Sequence, residues 1–175
     1  LGASTINGAL RLLAQREPEV FRGWQVFHQA GADAPGSGEA HLVALREAYA
    51  KAGVPAVVAP FCDAMGHAWN AADLAVCRSG AGTVAEVLGT ATPAVFLPYP
   101  YHADEHQKKN AQRLADAGGC VILADRIDPE KNLPALRDTL RTLMQNGEQL
   151  DAMHAALASL APADGAFAVA NNLAW

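Results

Sequence analysis

The chain has 175 residues, 51% of them apolar and 18% charged, which is the composition of one globular, water-soluble domain with a sizeable core. A formal net charge of −5 excludes a general nucleic-acid binder, because neutralising phosphates needs a basic surface. The longest apolar runs fall far short of the ~20 residues that a membrane span needs, and the start lacks the pattern of a signal peptide. Three cysteines, Cys62, Cys77 and Cys120, are odd in number and lie in apolar surroundings. They read as buried thiols in a reducing compartment, and so point to the cytoplasm.

The predicted elements alternate along the chain. Thr5 to Arg16 carries Ile6, Ala9, Leu10 and Leu13 at helical spacing. Trp24 to His28 is a short β-prone run, and a Gly- and Pro-rich loop covers Ala34 to Gly38. Glu39 to Ala52 is an amphipathic helix closed by Gly53. Ala56 to Phe61 is a strand, followed by a short helix from Asp63 to Ala71. Leu74 to Cys77 is a third strand, and a Ser-Gly-Ala-Gly turn leads to a helix from about Thr83 to Gly89. Pro93 to Pro98 is a buried strand, Asp104 to Ala117 a helix and Cys120 to Ala124 a last strand. From Pro129 onward the chain is helical, with breaks near Gly147 and at Pro162 to Gly165.

Short, continuously apolar strands separated by helices predict a parallel sheet covered on both faces, a doubly wound, Rossmann-like α/β domain over 1–175. No strand precedes the first helix. The first strand of such a sheet is usually central, beside the switch point. The expectation is therefore that residues before Leu1 exist in the natural protein and complete the sheet.

Three strand-to-helix junctions concentrate the chemistry. The first is Cys77-Arg-Ser-Gly-Ala-Gly-Thr-Val-Ala-Glu86. Open N–H groups of a first helical turn attract an anion, and Gly80 and Gly82 let backbone approach a phosphate. Thr83 adds a hydroxyl, and Glu86 can accept from the two hydroxyls of a ribose. The same Thr83 to Glu86 spacing also fits a capping box, in which each satisfies the other's backbone donor. Gly-Ala-Gly falls short of the dinucleotide fingerprint, so no nicotinamide cofactor is expected. The second junction is Pro98-Tyr-Pro-Tyr-His-Ala-Asp-Glu-His-Gln-Lys-Lys-Asn-Ala111. His102, Asp104, His106, Gln107 and Asn110 offer donors and acceptors at angles that sugar hydroxyls require. Two other readings fit: Asp104 as a plain helix cap, and a metal on His102 and His106, which lacks a clear third ligand. The third is Pro60-Phe-Cys-Asp-Ala-Met65, where backbone groups can read the edge of a base or Asp63 can simply cap a helix.

In this order and spacing the junctions resemble the carboxyl-terminal domain of MurG-type transferases, which add N-acetylglucosamine to a lipid-linked peptidoglycan precursor. The matching pieces are Leu1-Gly-Ala3, Phe61-Cys-Asp-Ala-Met65, Ala72-Asp-Leu-Ala-Val-Cys-Arg-Ser-Gly-Ala-Gly-Thr-Val-Ala-Glu86, Pro93-Ala-Val-Phe-Leu-Pro98 and His106-Gln-x-x-Asn-Ala111. A less specific likeness runs from Pro162 to Leu173. The resemblance implies one half of a GT-B enzyme, the donor domain for UDP-N-acetylglucosamine. It implies Glu86 on the ribose diol and Ala81, Gly82 and Thr83 on the diphosphate. It further implies Cys62 backbone on uracil, His106 and Gln107 on the sugar, and Gly2 near the phosphates. Three positions depart from the family pattern: Cys62 stands where an aliphatic residue is common, Ala64 where a second acid is common, and Pro100-Tyr101 is extra.

By the same resemblance, transfer is a direct displacement that inverts the anomeric carbon and releases UDP. No cofactor or metal is expected: the chain has no Asp-x-Asp motif, and a helix N-terminus can stabilise charge growing on the diphosphate. The general base and the lipid-acceptor site belong to an amino-terminal domain outside these residues. That domain implies a peripheral position at the inner face of the cell membrane. Rival readings are another GT-B nucleotide-sugar enzyme (a glycolipid transferase or an epimerase), a non-catalytic binding subunit, and a Rossmann-like module for a different ligand.

Overall fold

The computed structural model describes residues 3–32, 39–100 and 106–160. In chain order these form α1 (Ser4–Arg16), a 3-10 turn (Pro18–Phe21), β1 (Val26–Gln29), α2 (Ala40–Lys51), β2 (Ala56–Ala59) and α3 (Met65–Asn70). There follow β3 (Ala75–Cys77), α4 (Ala81–Thr90), β4 (Ala94–Phe96), α5 (His106–Asp116), β5 (Cys120–Ile122), α6 (Pro129–Met144) and α7 (Gly147–Ser159). The alternation and the parallel pairing are those expected, and every strand falls within its predicted segment or one residue beyond it.

The backbone ladders form two sheets. β1 pairs with β2, in register Val26 with Ala56; β3, β4 and β5 pair in that order. The two ladders are separate, because β1 and β3 exchange no hydrogen bonds. Side chains join the halves. One core cluster combines Ile6, Leu10 and Leu13 of α1, Leu42 and Leu45 of α2, Leu136 and Leu140 of α6, Val58 of β2, and Val95 and Leu97 of the β4 segment. The other face of β4 sends Ala94 and Phe96 into a second cluster with Trp69, Val87, Leu114 and Leu157. The period of two along a strand separates these sets. Because helices cover both faces, every residue of β4 is fully buried. Burial of a side chain the size of Phe96 contributes about 1.5–3 kcal/mol.

Element ends show what local sequence misses. α4 begins at Ala81 with Gly80 as its cap, two residues before the expected Thr83. α3 begins at Met65 with Ala64 as cap, so Asp63 does not cap it. α4 runs through Gly89 and stops where Ala91 turns left-handed at φ 53°. Asp128 caps α6, its carboxylate accepting from the Glu130 N–H at 2.9 Å, with Pro129 in the first turn. The predicted break near Gly147 is the Asn146 cap of α7, whose side chain accepts from the Gln149 N–H. The helix start expected at Asp104 and the break at Pro162 to Gly165 lie outside the described residues. Among the described residues no helix is long and apolar enough to cross a membrane.

Candidate functional site

Parallel strands of one sheet deliver their carboxyl ends to one edge, so the turns after β3, β4 and β5 share it. The turn after β3 is Arg78-Ser79-Gly80. Gly80 is extended (φ −61°, ψ 153°), its carbonyl accepts from Val84 N–H at 2.9 Å, and no side chain caps the helix. The N–H groups of Ala81, Gly82 and Thr83 therefore have no intrahelical acceptor, as at every helix start. The aligned peptides concentrate about half a positive charge there. Ala81 and Gly82 are exposed and Thr83 is half-buried. A Cβ on Gly80 or Gly82 would meet no atom within 4 Å, so internal packing demands a glycine at neither position. The buried Ser79 hydroxyl has no hydrogen-bond partner among the described residues.

The capping-box alternative does not hold. A box requires its Ser or Thr at the cap, and Thr83 is the third residue of α4. Glu86 lies one turn further on. It is exposed, and its carboxylate has no hydrogen bond or ion pair among the described residues.

At the turn after β4, the Gln107 side-chain oxygen accepts from Tyr99 N–H at 2.8 Å, and Asn110 donates to the Ser79 carbonyl at 3.2 Å. The second bond ties the start of α5 to the turn entering α4. His106 opens α5 on its exposed side. His102, Asp104 and Gly2 lie outside the described residues. Among the described residues no three His, Cys, Asp or Glu side chains gather as for a metal ion.

At the turn after β2, Cys62 N–H donates to the Gln29 side chain at 3.0 Å. No other bond holds Cys62 among the described residues, although α3 packs beside α4. The expectation of three buried thiols is corrected here. Cys120 is buried and Cys77 is half-buried against the second core cluster, but Cys62 is half-exposed because it stands on a loop at the strand ends. Burial pushes the thiols of Cys77 and Cys120 up to about 12, which leaves both inert near neutrality.

Sequence reasoning missed a polar cluster just behind these turns. Arg78 donates to Asp125 at 2.5 Å, to the carbonyls of Leu97 and Pro98 at 2.8 and 3.3 Å, and to the Thr5 hydroxyl at 2.9 Å. Thr5 donates onward to Asp125 at 2.6 Å, and Asn132 and Ile127 N–H fill the other carboxylate oxygen at 2.7 Å each. The Asp125 side chain has no exposed surface. Burial opposes its charge, yet the bonds from Thr5, Asn132, Ile127 and Arg78 together hold its carboxyl below the ordinary value. Arg78 was visible within its motif, but no local spacing announced partners 73 and 47 residues away.

Residues 1–167 match the family model described as the glycosyltransferase family 28 C-terminal domain. A protein of Trichlorobacter lovleyi named UDP-N-acetylglucosamine–N-acetylmuramyl-(pentapeptide) pyrophosphoryl-undecaprenol N-acetylglucosamine transferase is 35% identical over 98% of this chain and 43% of its own length. A protein of the same name from Paraburkholderia xenovorans is 39% identical over 97% of this chain and 43% of its own length. The crystal structure of Acinetobacter baumannii MurG superposes with a TM-score of 0.69 at 31% identity, covering 92% of this chain and 43% of that one. The chain thus spans less than half the length of the curated relatives it matches.

Proposed function

The chain belongs to the family of glycosyltransferase family 28 C-terminal domains, and from that premise we propose that it binds UDP-N-acetylglucosamine as the donor for transfer of N-acetylglucosamine to a lipid-linked muramoyl-peptide. The observation that carries this reading is the uncapped start of α4, with the Glu86 carboxylate, which has no partner among the described residues, one turn above it. A diphosphate neutralised by that helix start brings its ribose near the next turn, where a carboxylate accepts from both hydroxyls. In this reading Ala81, Gly82 and Thr83 meet the diphosphate, and Gly2 lies near it. The Cys62 backbone meets the base, through its carbonyl because Gln29 already takes the N–H. His106 and Gln107 face the sugar; Gln107 keeps its amide N–H groups for this purpose while its oxygen holds Tyr99.

The acceptor, the general base and contact with the inner face of the cell membrane are assigned to the part of the relatives' length that these 175 residues do not span. The transfer inverts the anomeric carbon, and the dipole of α4 stabilises the departing UDP. Turnover by the 175-residue chain alone would overturn that division of labour.

Titration with UDP, UDP-N-acetylglucosamine and NAD tests the ligand. The two uridine nucleotides bind and NAD does not. Replacement Glu86→Ala lowers UDP affinity about 10- to 100-fold, the worth of charge-assisted bonds to two hydroxyls, and leaves the melting temperature unchanged. An unchanged UDP affinity in that variant would sink the ribose assignment.

A further inference from the structure

We infer that Arg78 is a positioning residue, which Asp125 and Thr5 hold so that it sets the turn Ser79–Gly82 for the diphosphate. The inference rests on the donor-site reading above. The turn needs an external brace, because α4 has no side-chain cap. Two anchors flank it: Asn110 on the Ser79 carbonyl, and the Arg78 side chain. The guanidinium spans three elements at once. It grips the strand end after β4 through Leu97 and Pro98, the first turn of α1 through Thr5, and the segment after β5 through Asp125. It also lies over the Tyr99 ring, 5.6 Å from its centre. A planar fork can serve carbonyls, hydroxyl and carboxylate together, whereas an ammonium cannot match that geometry.

The charge is already spent. Asp125 neutralises Arg78 at 2.5 Å behind the turn, so the guanidinium acts on the phosphates through the backbone that it holds. Asp125 is in turn held at some conformational expense. Its second oxygen accepts from Ile127 N–H, and Ile127, a β-branched residue, sits in the left-handed region at φ 66°. Such strain persists where the surroundings over-determine a position.

The test compares UDP with uridine, which lacks the diphosphate, in NMR line-broadening titrations that read weak binding. The 175-residue parent is compared with Arg78→Lys, Asp125→Asn and Thr5→Ala at a temperature where circular dichroism shows each folded. Arg78→Lys and Asp125→Asn lower UDP affinity tenfold or more and leave uridine within twofold. Thr5→Ala, the smallest lesion and the one least able to prevent folding, lowers UDP about threefold with uridine unchanged. Folded variants that bind UDP within twofold of the parent, or that lose UDP and uridine equally, overturn the inference and leave a structural strap. A parent that binds neither ligand overturns the donor-site reading and this inference with it.

Discussion

Thr5 and Asn7 stand two positions apart on α1, and each reaches a different buried network. Thr5 joins the ionic one, where Arg78 and Asp125 meet at 2.5 Å among the strand ends of β3, β4 and β5. Asn7 joins a neutral one at the end of β1. Its amide donates to the Ala30 carbonyl at 2.8 Å, which turns its oxygen toward His28 Nε2 at 3.0 Å. His28 Nε2 therefore carries the proton, and Nδ1 accepts from the Tyr49 hydroxyl at 3.0 Å. A charge can be buried on the first side because its opposite is buried with it and every oxygen is filled. Among the described residues no carboxylate contacts His28, so burial there holds the ring neutral. Burial first, and the nearby His41 second, push its pKa down to about 4. The two halves of the domain are thus locked by different chemistry around one helix.

The sharpest way to break this contrast is to remove one ion. Asp125→Ala leaves Arg78 largely buried and unpaired, and costs about 3–5 kcal/mol in urea unfolding. The double variant Arg78→Met with Asp125→Leu loses less than Asp125→Ala alone. An equal or larger loss in the double variant would mean that the pair itself stabilises the fold. Acid comes next. His28 titrates at 6.5 when unfolded and at about 4 when folded, so the unfolded state takes the proton first. Stability is full above pH 6.5 and falls by about 3 kcal/mol between pH 6.5 and 4. Asp125, lowered from 3.8, begins to cost stability only below that window. Unfolding of the parent measured against His28→Gln separates the two groups; a parallel decline in both proteins would remove His28 from the account.

Two smaller lesions sharpen the comparison. Tyr49→Phe leaves His28 Nδ1 buried without a donor and costs about 1–2 kcal/mol. The same change raises the ring's readiness to protonate very little, since desolvation dominates its shift. Ile127→Gly relieves the left-handed strain beside Asp125. It raises stability by about 1 kcal/mol, read as a higher melting temperature, and leaves the ionic network intact. A loss of stability on that change would show that the exposed Ile127 side chain does more than endure its backbone.

Much of the fold was legible because its signals are local. Val95 and Phe96 lie in a continuous apolar run, as a strand covered on both faces requires. The α1 stripe of Ile6, Ala9, Leu10 and Leu13 announced the buried face that the structure shows. Caps were less legible. Asp63 and Thr83 have the right chemistry for a cap, but the backbone turns into the helix at Ala64 and Gly80 instead. The residue type allows a cap, and the path of the chain chooses it. The position of Cys62 was misread for a similar reason. Its apolar neighbours suggested burial, yet it sits on a loop at the edge of the sheet, beside an exposed Phe61.

Sequence alone determined the alternation of strand and helix, the parallel class, and the three junctions that hold the proposed site residues. Periodicity and small-residue turns act within a few positions of themselves, so one dimension suffices to read them. Only the tertiary structure decided that Gly80 caps α4 and that Glu86 has no partner among the described residues. It alone joined Arg78 to Asp125 and Thr5, and His28 to Asn7 and Tyr49. Those bonds link residues 21 to 120 positions apart. Their existence depends on where the chain brings each carbonyl, hydroxyl and carboxylate, which no local spacing contains.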